Sequence, residues 1–533
     1  MKTGSILNRF LPIAIVVVLV GCKEPKQNII AVDEKKPNII YILADDLGYG
    51  DVEVFNTESK IPTPNLNQLA ATGKSFTNAH APAAVCTPTR YSFLTGKYPW
   101  RSGRKKGVSW VWGKPLIQEN EFTIGKMLQE QGYATACIGK WHLGWNWPTI
   151  DGAPATLENQ GKNIDYSKPI TGGPTALGFD YYYGDDVPGF PPHAFITNDR
   201  YVKEPSNWYN VQPFLAGASE DNWKYEELLG RTTENSIEYI KEHANGEKPF
   251  FLFLSLTAPH TPIAPSDAFL GKTKAGRYGD FVYEVDYNIG KVLKTLDSLG
   301  ISDDTMVVFT SDNGSTTQDG TYYHGEFGSM MKNYKHDGSG GLRGAKADTY
   351  EGGHRVPFIV KYPNKIKANE KSSALLSQTD MMRTFAELSG YELSDEHGRD
   401  SFNVLPLFYN NGTKEVRDAV VTQSSRGALS IQQGDWKLIL CSGSSGHWTK
   451  PFGELPYMEN GKLKNVQLYN LKDDLEETNN LSDENQEKAI AIAKVLAGYI
   501  AKGSSRSINL KNKEKIDLWK EVEWVRAITS NQE

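Results

Sequence analysis

Four apolar runs, each closed by a polar cluster, constrain this chain more than any other feature. Residues 37–44 lead into Asp45-Asp46, 133–139 into Lys140-Trp141-His142, 249–256 into Ala258-Pro259-His260, and 306–311 into Asp312-Asn313. The runs are continuous rather than alternating, which predicts strands buried on both faces, as in a parallel sheet. Helical spacing recurs between and after them, over residues 63–72, 123–131, 232–243, 281–299 and 377–388. In an open α/β sheet the ligand crevice lies outside the carboxyl ends of the strands. Four independent strands are therefore expected to deliver these polar clusters to one place.

Cys86-Thr87-Pro88-Thr89-Arg90, continued by Tyr91-Ser92-Phe93-Leu94-Thr95-Gly96, reads as a loop turning into a helix. Pro88 suits a first helical position, which would put Cys86 just outside the helix start and Arg90 about one turn on. Free N–H groups and the Arg90 charge make that end a site for an anion, beside a sulfur nucleophile or its derivative. By itself the stretch reads equally as a buried cysteine or half of a disulfide.

Asp45, Asp46, Asp312 and Asn313 offer only hard oxygen ligands, a set that selects Ca²⁺, with Mg²⁺ second, over zinc. Each pair alone reads as a turn at a strand end. Behind two strands together they read as a metal site.

Cys-x-Pro-x-Arg followed by three residues and Leu-Thr-Gly resembles the signature of the type I sulfatases, in the arylsulfatase A-like branch. The resemblance implies an alkaline phosphatase-like mixed sheet flanked by helices, and removal of sulfate from sulfate monoesters. It implies that Cys86 is converted by a formylglycine-generating enzyme to Cα-formylglycine, whose hydrated aldehyde attacks sulfur. Asp45, Asp46, Asp312 and Asn313 match the family's calcium ligands, with Cys86 also touching the ion. Arg90 matches the arginine that holds the modified residue. Lys140 and Lys346 match sulfate-binding lysines. His260 matches the general acid and His142 the base, although their roles are exchangeable on sequence alone. The chain departs from the family at Lys97, commonly arginine, at Ala345, often glycine, and at His354, usually aliphatic. The reading at His354 is a surface histidine, or a substrate contact.

The rest of the chain bounds the setting. A net charge of −6 argues against nucleic acid as a partner. Lys2 and Arg9 precede a short apolar run ending Leu19-Val20-Gly21-Cys22, a secretory signal that resembles the bacterial lipoprotein box. Residues 1–22 are thus expected to be a signal, with Cys22 lipidated and the product anchored in the cell envelope, and 23–36 a tether. Four cysteines make no disulfide framework, and any pairing of Cys137 with Cys441 stays open. Residues 37–415 read as the catalytic domain and 416–533 as a smaller α+β unit with an antiparallel sheet. The polar, aromatic segments 145–230 and 315–343 read as functional loops.

A sulfated polysaccharide or its oligosaccharides is the expected substrate, with His193 and the pair His447-Trp448 as candidate contacts. Two other readings stand beside this one: a phosphatase or phosphodiesterase of the same superfamily, and an inactive glycan-binding lipoprotein at the cell surface.

Overall fold

The structure is a computed structural model that describes residues 35–409, 415–508 and 518–529, with 1, 3, 4 and 510. Apart from residues 1, 3 and 4, the expected signal with Cys22 lies outside the described residues, as do all but the last two tether residues. Everything below belongs to the unit Lys36–Glu533.

Ten strands form the main sheet: β1 (Asn38–Asp45), β2 (Lys74–Phe76), β3 (Ala134–Gly139), β4 (Tyr181–Gly184), β5 (Ile196–Thr197), β6 (Arg200–Tyr201), β7 (Phe250–Pro259), β8 (Thr305–Ser311), β9 (Phe358–Lys361) and β10 (Glu370–Ser372). Their order across the sheet is β10-β2-β9-β8-β1-β7-β3-β4-β5-β6. The middle is parallel: β1 pairs with β7 and β8, β7 with β3, and β3 with β4. Antiparallel pairs flank it on both sides, β8 with β9 and β4 with β5. The sheet is mixed, as the resemblance implied.

The unbroken apolar runs follow from burial on both faces. Ile39, Tyr41 and Leu43 of β1 enter one hydrophobic core, while Ile40, Ile42 and Ala44 enter the other. In β7, Phe251 and Phe253 join the first core and Phe250, Leu252 and Leu254 the second. Successive side chains point to opposite faces, so a strand between two helical layers must be apolar at every position. Helices Cys86–Thr95, Ile124–Glu130 and Met381–Ser389 cover the first face, and Pro64–Ala71, Leu228–His243 and Gly276–Ser298 the second.

The C-terminal segment folds as a four-stranded antiparallel sheet in the order Ala419–Gln423, Leu429–Gln433, Trp436–Ile439, Gln467–Asn470. The helix Gln486–Lys502 packs on it, and the shared core also takes in Tyr98 and Trp100 from the first domain. The sheet's first strand reaches the nucleophile loop. Ala84 N–H donates to Gln423 O at 2.9 Å, and Gln423 N–H to Pro82 O at 3.1 Å. Cys137 and Cys441 are both buried and free.

Two local expectations differ. The helix begins at Cys86, after Val85 as N-cap, two residues earlier than Pro88 indicated. Proline is tolerated throughout a first turn, because those N–H groups have no intrahelical partner. Within 145–230, Tyr181–Gly184 extends the main sheet, although glycine, proline and aspartate around it read as loop.

Candidate active site

Because β1, β3, β7 and β8 run parallel, their carboxyl ends share one edge of the sheet. Asp45 closes β1, and Asp46 follows in a left-handed conformation with φ 66°. Lys140 follows β3, then Trp141 and His142, the latter also left-handed with φ 58°. His260 follows β7, and Asp312 and Asn313 follow β8. Positive φ in non-glycine residues costs energy and collects where surrounding structure over-determines a functional conformation.

Hydrogen bonds tie these ends to the nucleophile helix. Cys86 Sγ is 3.4 Å from Asp45 Oδ1. Arg90 donates from Nη2 to Asp312 Oδ2 at 2.9 Å, and from Nη1 to Ser255 Oγ at 2.5 Å and Lys140 O at 3.1 Å. Lys140 Nζ donates to Asp45 Oδ2 at 2.5 Å, and Lys346 Nζ to Asp46 Oδ2 at 2.7 Å. Asn313 Nδ2 donates to Asp46 Oδ1 at 2.8 Å. Asp45, Asp46, Asp312, Arg90 and Lys140 are essentially inaccessible to solvent. Three carboxylates thus face three cations in a low-dielectric pocket, where neither set is tolerable alone.

That balance sets the titration of each group. Burial would raise Asp45, but Lys140, His260 and Arg90 hold it well below the usual carboxylate range. Asp312 goes the other way, pushed up by burial and by the Asp45 charge. Burial and the charges of Asp312 and Asp45 also push the Cys86 thiol well up, so it stays protonated and is a poor nucleophile as it stands.

The residues fit a hard cation. Asn313 Oδ1 is buried and has no hydrogen-bond partner, while its amide nitrogen is committed to Asp46. An orphaned buried carbonyl is costly and calls for an explanation. Ligand atoms of Asp45, Asp46, Cys86 and His260 all lie within 4.8 Å of one another. Oxygen donors outnumber the rest, which favours Ca²⁺ or Mg²⁺ chemistry.

The two histidines are distinguishable. His142 Nε2 lies 3.0 Å from Ser109 O, which fixes the proton there and leaves Nδ1 as a free lone pair, buried and unpartnered. His260 bonds Thr261 O through Nδ1, leaving Nε2 toward Asp46 Oδ2 at 3.8 Å. Burial, then Lys140 and Lys346, lowers His260 to about 4.

Cys86, His142, His260 and Lys346 line one cleft of about 370 Å³. The expected contacts His447 and Trp448 line it too, brought in by the C-terminal unit. His193 does not. It is buried, with Nε2 bonded to Leu215 O at 2.9 Å and Nδ1 to Tyr225 Oη at 3.1 Å, a satisfied core histidine. His354 is likewise no surface or substrate residue. It is buried between His80 Nδ1 and Lys437 Nζ, each at 3.1 Å. Sequence reasoning missed Trp110, Phe190, Gln318 and His324, which also line the cleft. The signal for Phe190, Gln318 and His324 is membership of the long polar segments, and Trp110 carries none.

Comparison with known proteins now has a site to bear on. The family model described as Sulfatase matches residues 37–391. The chain belongs to the sulfatase family. This sulfatase is 33% identical over 532 residues to an N-acetylgalactosamine-6-O-sulfatase of Bacteroides thetaiotaomicron, covering 92% of this chain and 98% of that protein. It is 30% identical to human arylsulfatase A over 424 residues, covering 78% and 76% respectively. A solved structure from work on the metabolism of multiple glycosaminoglycans by Bacteroides thetaiotaomicron matches with TM-score 0.73 at 30% identity, over 87% of this chain and 99% of that one. This sulfatase is accordingly a sulfuric ester hydrolase, with a mixed α/β fold and a C-terminal antiparallel sheet.

Proposed function

We propose that this sulfatase removes sulfate from a sulfated glycan at a formylglycine formed from Cys86, with one Ca²⁺ beside it. The observation that carries the reading is the meeting of three cations around Cys86, with Lys346 lining the cleft beside it and Arg90 and Lys140 buried behind. An isolated anionic ester needs that density of cationic donors where charge develops in the transition state.

Asp45, Asp46, Asp312, Asn313 and residue 86 would hold the cation. When bound, it would supply a Lewis acid that lowers the pKa of a neighbouring hydroxyl and neutralises sulfate charge. The three carboxylates balance the three protein cations, so a divalent ion leaves the site net positive, the sign a sulfate monoester requires. Lys140 and Lys346, both held fully charged by the neighbouring acids against burial, orient non-bridging oxygens. His260 acts as the acid toward the leaving alcohol oxygen from its imidazolium form, with Nδ1–H held on Thr261 O and the second proton on Nε2, a form that the negative charge of a bound ester favours over the neutral ring. His142, with its free Nδ1, takes the proton from the remaining hydroxyl on residue 86 as sulfate leaves.

The N-acetylgalactosamine-6-O-sulfatase and the structure from glycosaminoglycan metabolism support a glycan as substrate. The cleft, with Trp110 and Trp448 exposed at 52% and 45%, supports it as well. The aldehyde requires a maturation enzyme as partner. We further propose a lipid anchor at Cys22 and an envelope location, on the sequence alone.

Sulfate release from sulfated oligosaccharides, measured beside 4-nitrophenyl sulfate and 4-nitrophenyl phosphate, tests the reading. Sulfate release with negligible phosphate release is expected. Faster phosphate release would overturn it.

A further inference from the structure

A second cavity of about 730 Å³ adjoins the cleft, and His324 lines both. Its wall comes from the segment Asp319–Asn333 and from Gln212 and Pro213 on another loop. Both segments are long and polar, the kind of insertion that carries recognition rather than core packing.

The loop between the cavities is held in a costly shape. Tyr322 and Tyr323 both adopt left-handed backbone, with φ 49° and 69°. Tyr323 is anchored: its hydroxyl donates to Glu226 at 2.9 Å, and its carbonyl accepts from Ile263 N–H at 2.7 Å. Tyr322 is not packed away. It lines the cavity and is 87% exposed. Non-glycine residues at positive φ are strained and persist where the surrounding structure over-determines them. Here the strained pair presents one aromatic ring at the rim of an open cavity.

The charges of the two cavities differ. Lys346 lines the first beside Asp46, with Lys140 and Arg90 buried behind them. The second carries Asp319, Glu326 and a single cation, Lys332. Asp319 is an acceptor locked in place by Thr321 N–H at 3.0 Å and Asn333 Nδ2 at 2.6 Å. Burial lowers the His324 pKa, so the imidazole at the junction adds no charge. A sulfate or carboxylate entering the second cavity meets a net negative wall. A ring carrying only hydroxyl or acetamido groups meets donors, acceptors and an aromatic face.

We propose that this second cavity is a sugar subsite for an uncharged ring linked to the sulfated one. The substrate is then an oligo- or polysaccharide in which a neutral hexose or N-acetylhexosamine neighbours the sulfated residue. The proposal rests on the hydrolase reading above.

The test compares kcat/KM, by released sulfate, for a sulfated monosaccharide, the same sugar linked to neutral galactose, and the same sugar linked to a uronic acid. The neutral disaccharide should exceed the monosaccharide by about tenfold or more, and exceed the uronate-linked one. Lys332→Trp, on an exposed helix face, and Gln212→Trp, from the other loop, should each erase most of the neutral disaccharide's advantage. Circular dichroism and the melting temperature confirm folding. Equal rates on monosaccharide and neutral disaccharide, a preference for the uronate, or an advantage untouched by both variants would overturn the subsite. Silence toward every ester, 4-nitrophenyl sulfate included, would overturn the hydrolase reading and the subsite with it.

Discussion

Arg90 reaches across the sheet edge to Asp312, 222 positions away, and the two fully buried side chains meet at 2.9 Å. The same guanidinium holds Lys140 O and Ser255 Oγ, so one side chain fixes the tips of three strands. Arg90→Met should therefore abolish activity and cost about 3–5 kcal/mol in denaturant unfolding, since it strands buried carboxylates. Arg90→Lys should recover part of the stability and little of the activity, because an ammonium cannot replace the planar fork.

Lys437 plays the corresponding part between the C-terminal sheet and the helix Glu351–His354. It donates to Glu351 at 2.8 Å and lies 2.8 Å from Glu477, all three buried. Lys437→Met should destabilise by about 3–5 kcal/mol, and a following Glu477→Gln should return part of that loss. Urea melts of the single and double variants check this. An unchanged midpoint in Lys437→Met would refute the role.

Much of this was legible because a strand buried on both faces leaves no polar residue until its end. Asp45, Lys140, His260 and Asp312 were therefore readable as strand tips, and their convergence followed from parallel order. What failed was judgement of isolated side chains. His193 and His354 sit in aromatic or polar surroundings in sequence, but their partners, Tyr225 and Leu215, or His80 and Lys437, are mostly distant along the chain. Only the fold shows those hydrogen bonds to be satisfied. The cleft walls from Gln318 and His324 were illegible because loop geometry has no periodicity to read.

Two sets of buried groups make stability depend on pH in opposite senses. Burial lowers His193 to about 4 and His80 to about 3, against an ordinary 6.5. Below 6.5 the unfolded chain takes protons that the fold refuses, so stability falls as pH drops from 6.5 toward 4. Burial raises Asp185, Asp348 and Glu284 to about 7. Their contribution is full below the ordinary carboxylate values and is lost as pH rises from there to about 7, so they oppose the histidines across the same window. Melting temperatures of single variants separate the two sets. Relative to the parent, Glu284→Gln should gain stability as pH rises from 4.5 to 7, and His193→Gln as pH falls from 6.5 to 4.

Removing metal should cost both activity and stability. Chelation should lower the melting temperature, and excess Ca²⁺ should restore it, with about 2.7 kcal/mol of stabilisation at a hundredfold excess over Kd. Asn313→Leu deletes the orphaned carbonyl oxygen and should abolish that calcium-dependent shift. A shift that survives in Asn313→Leu would place the ion elsewhere.

The central claim is that residue 86 works as an aldehyde rather than as the buried thiol encoded in the gene. Mass spectrometry of the peptide containing residue 86, from enzyme of measured specific activity, tests it directly. The account predicts formylglycine in proportion to activity, and neither formylglycine nor turnover in Cys86→Ala. An unmodified thiol in fully active enzyme would contradict it.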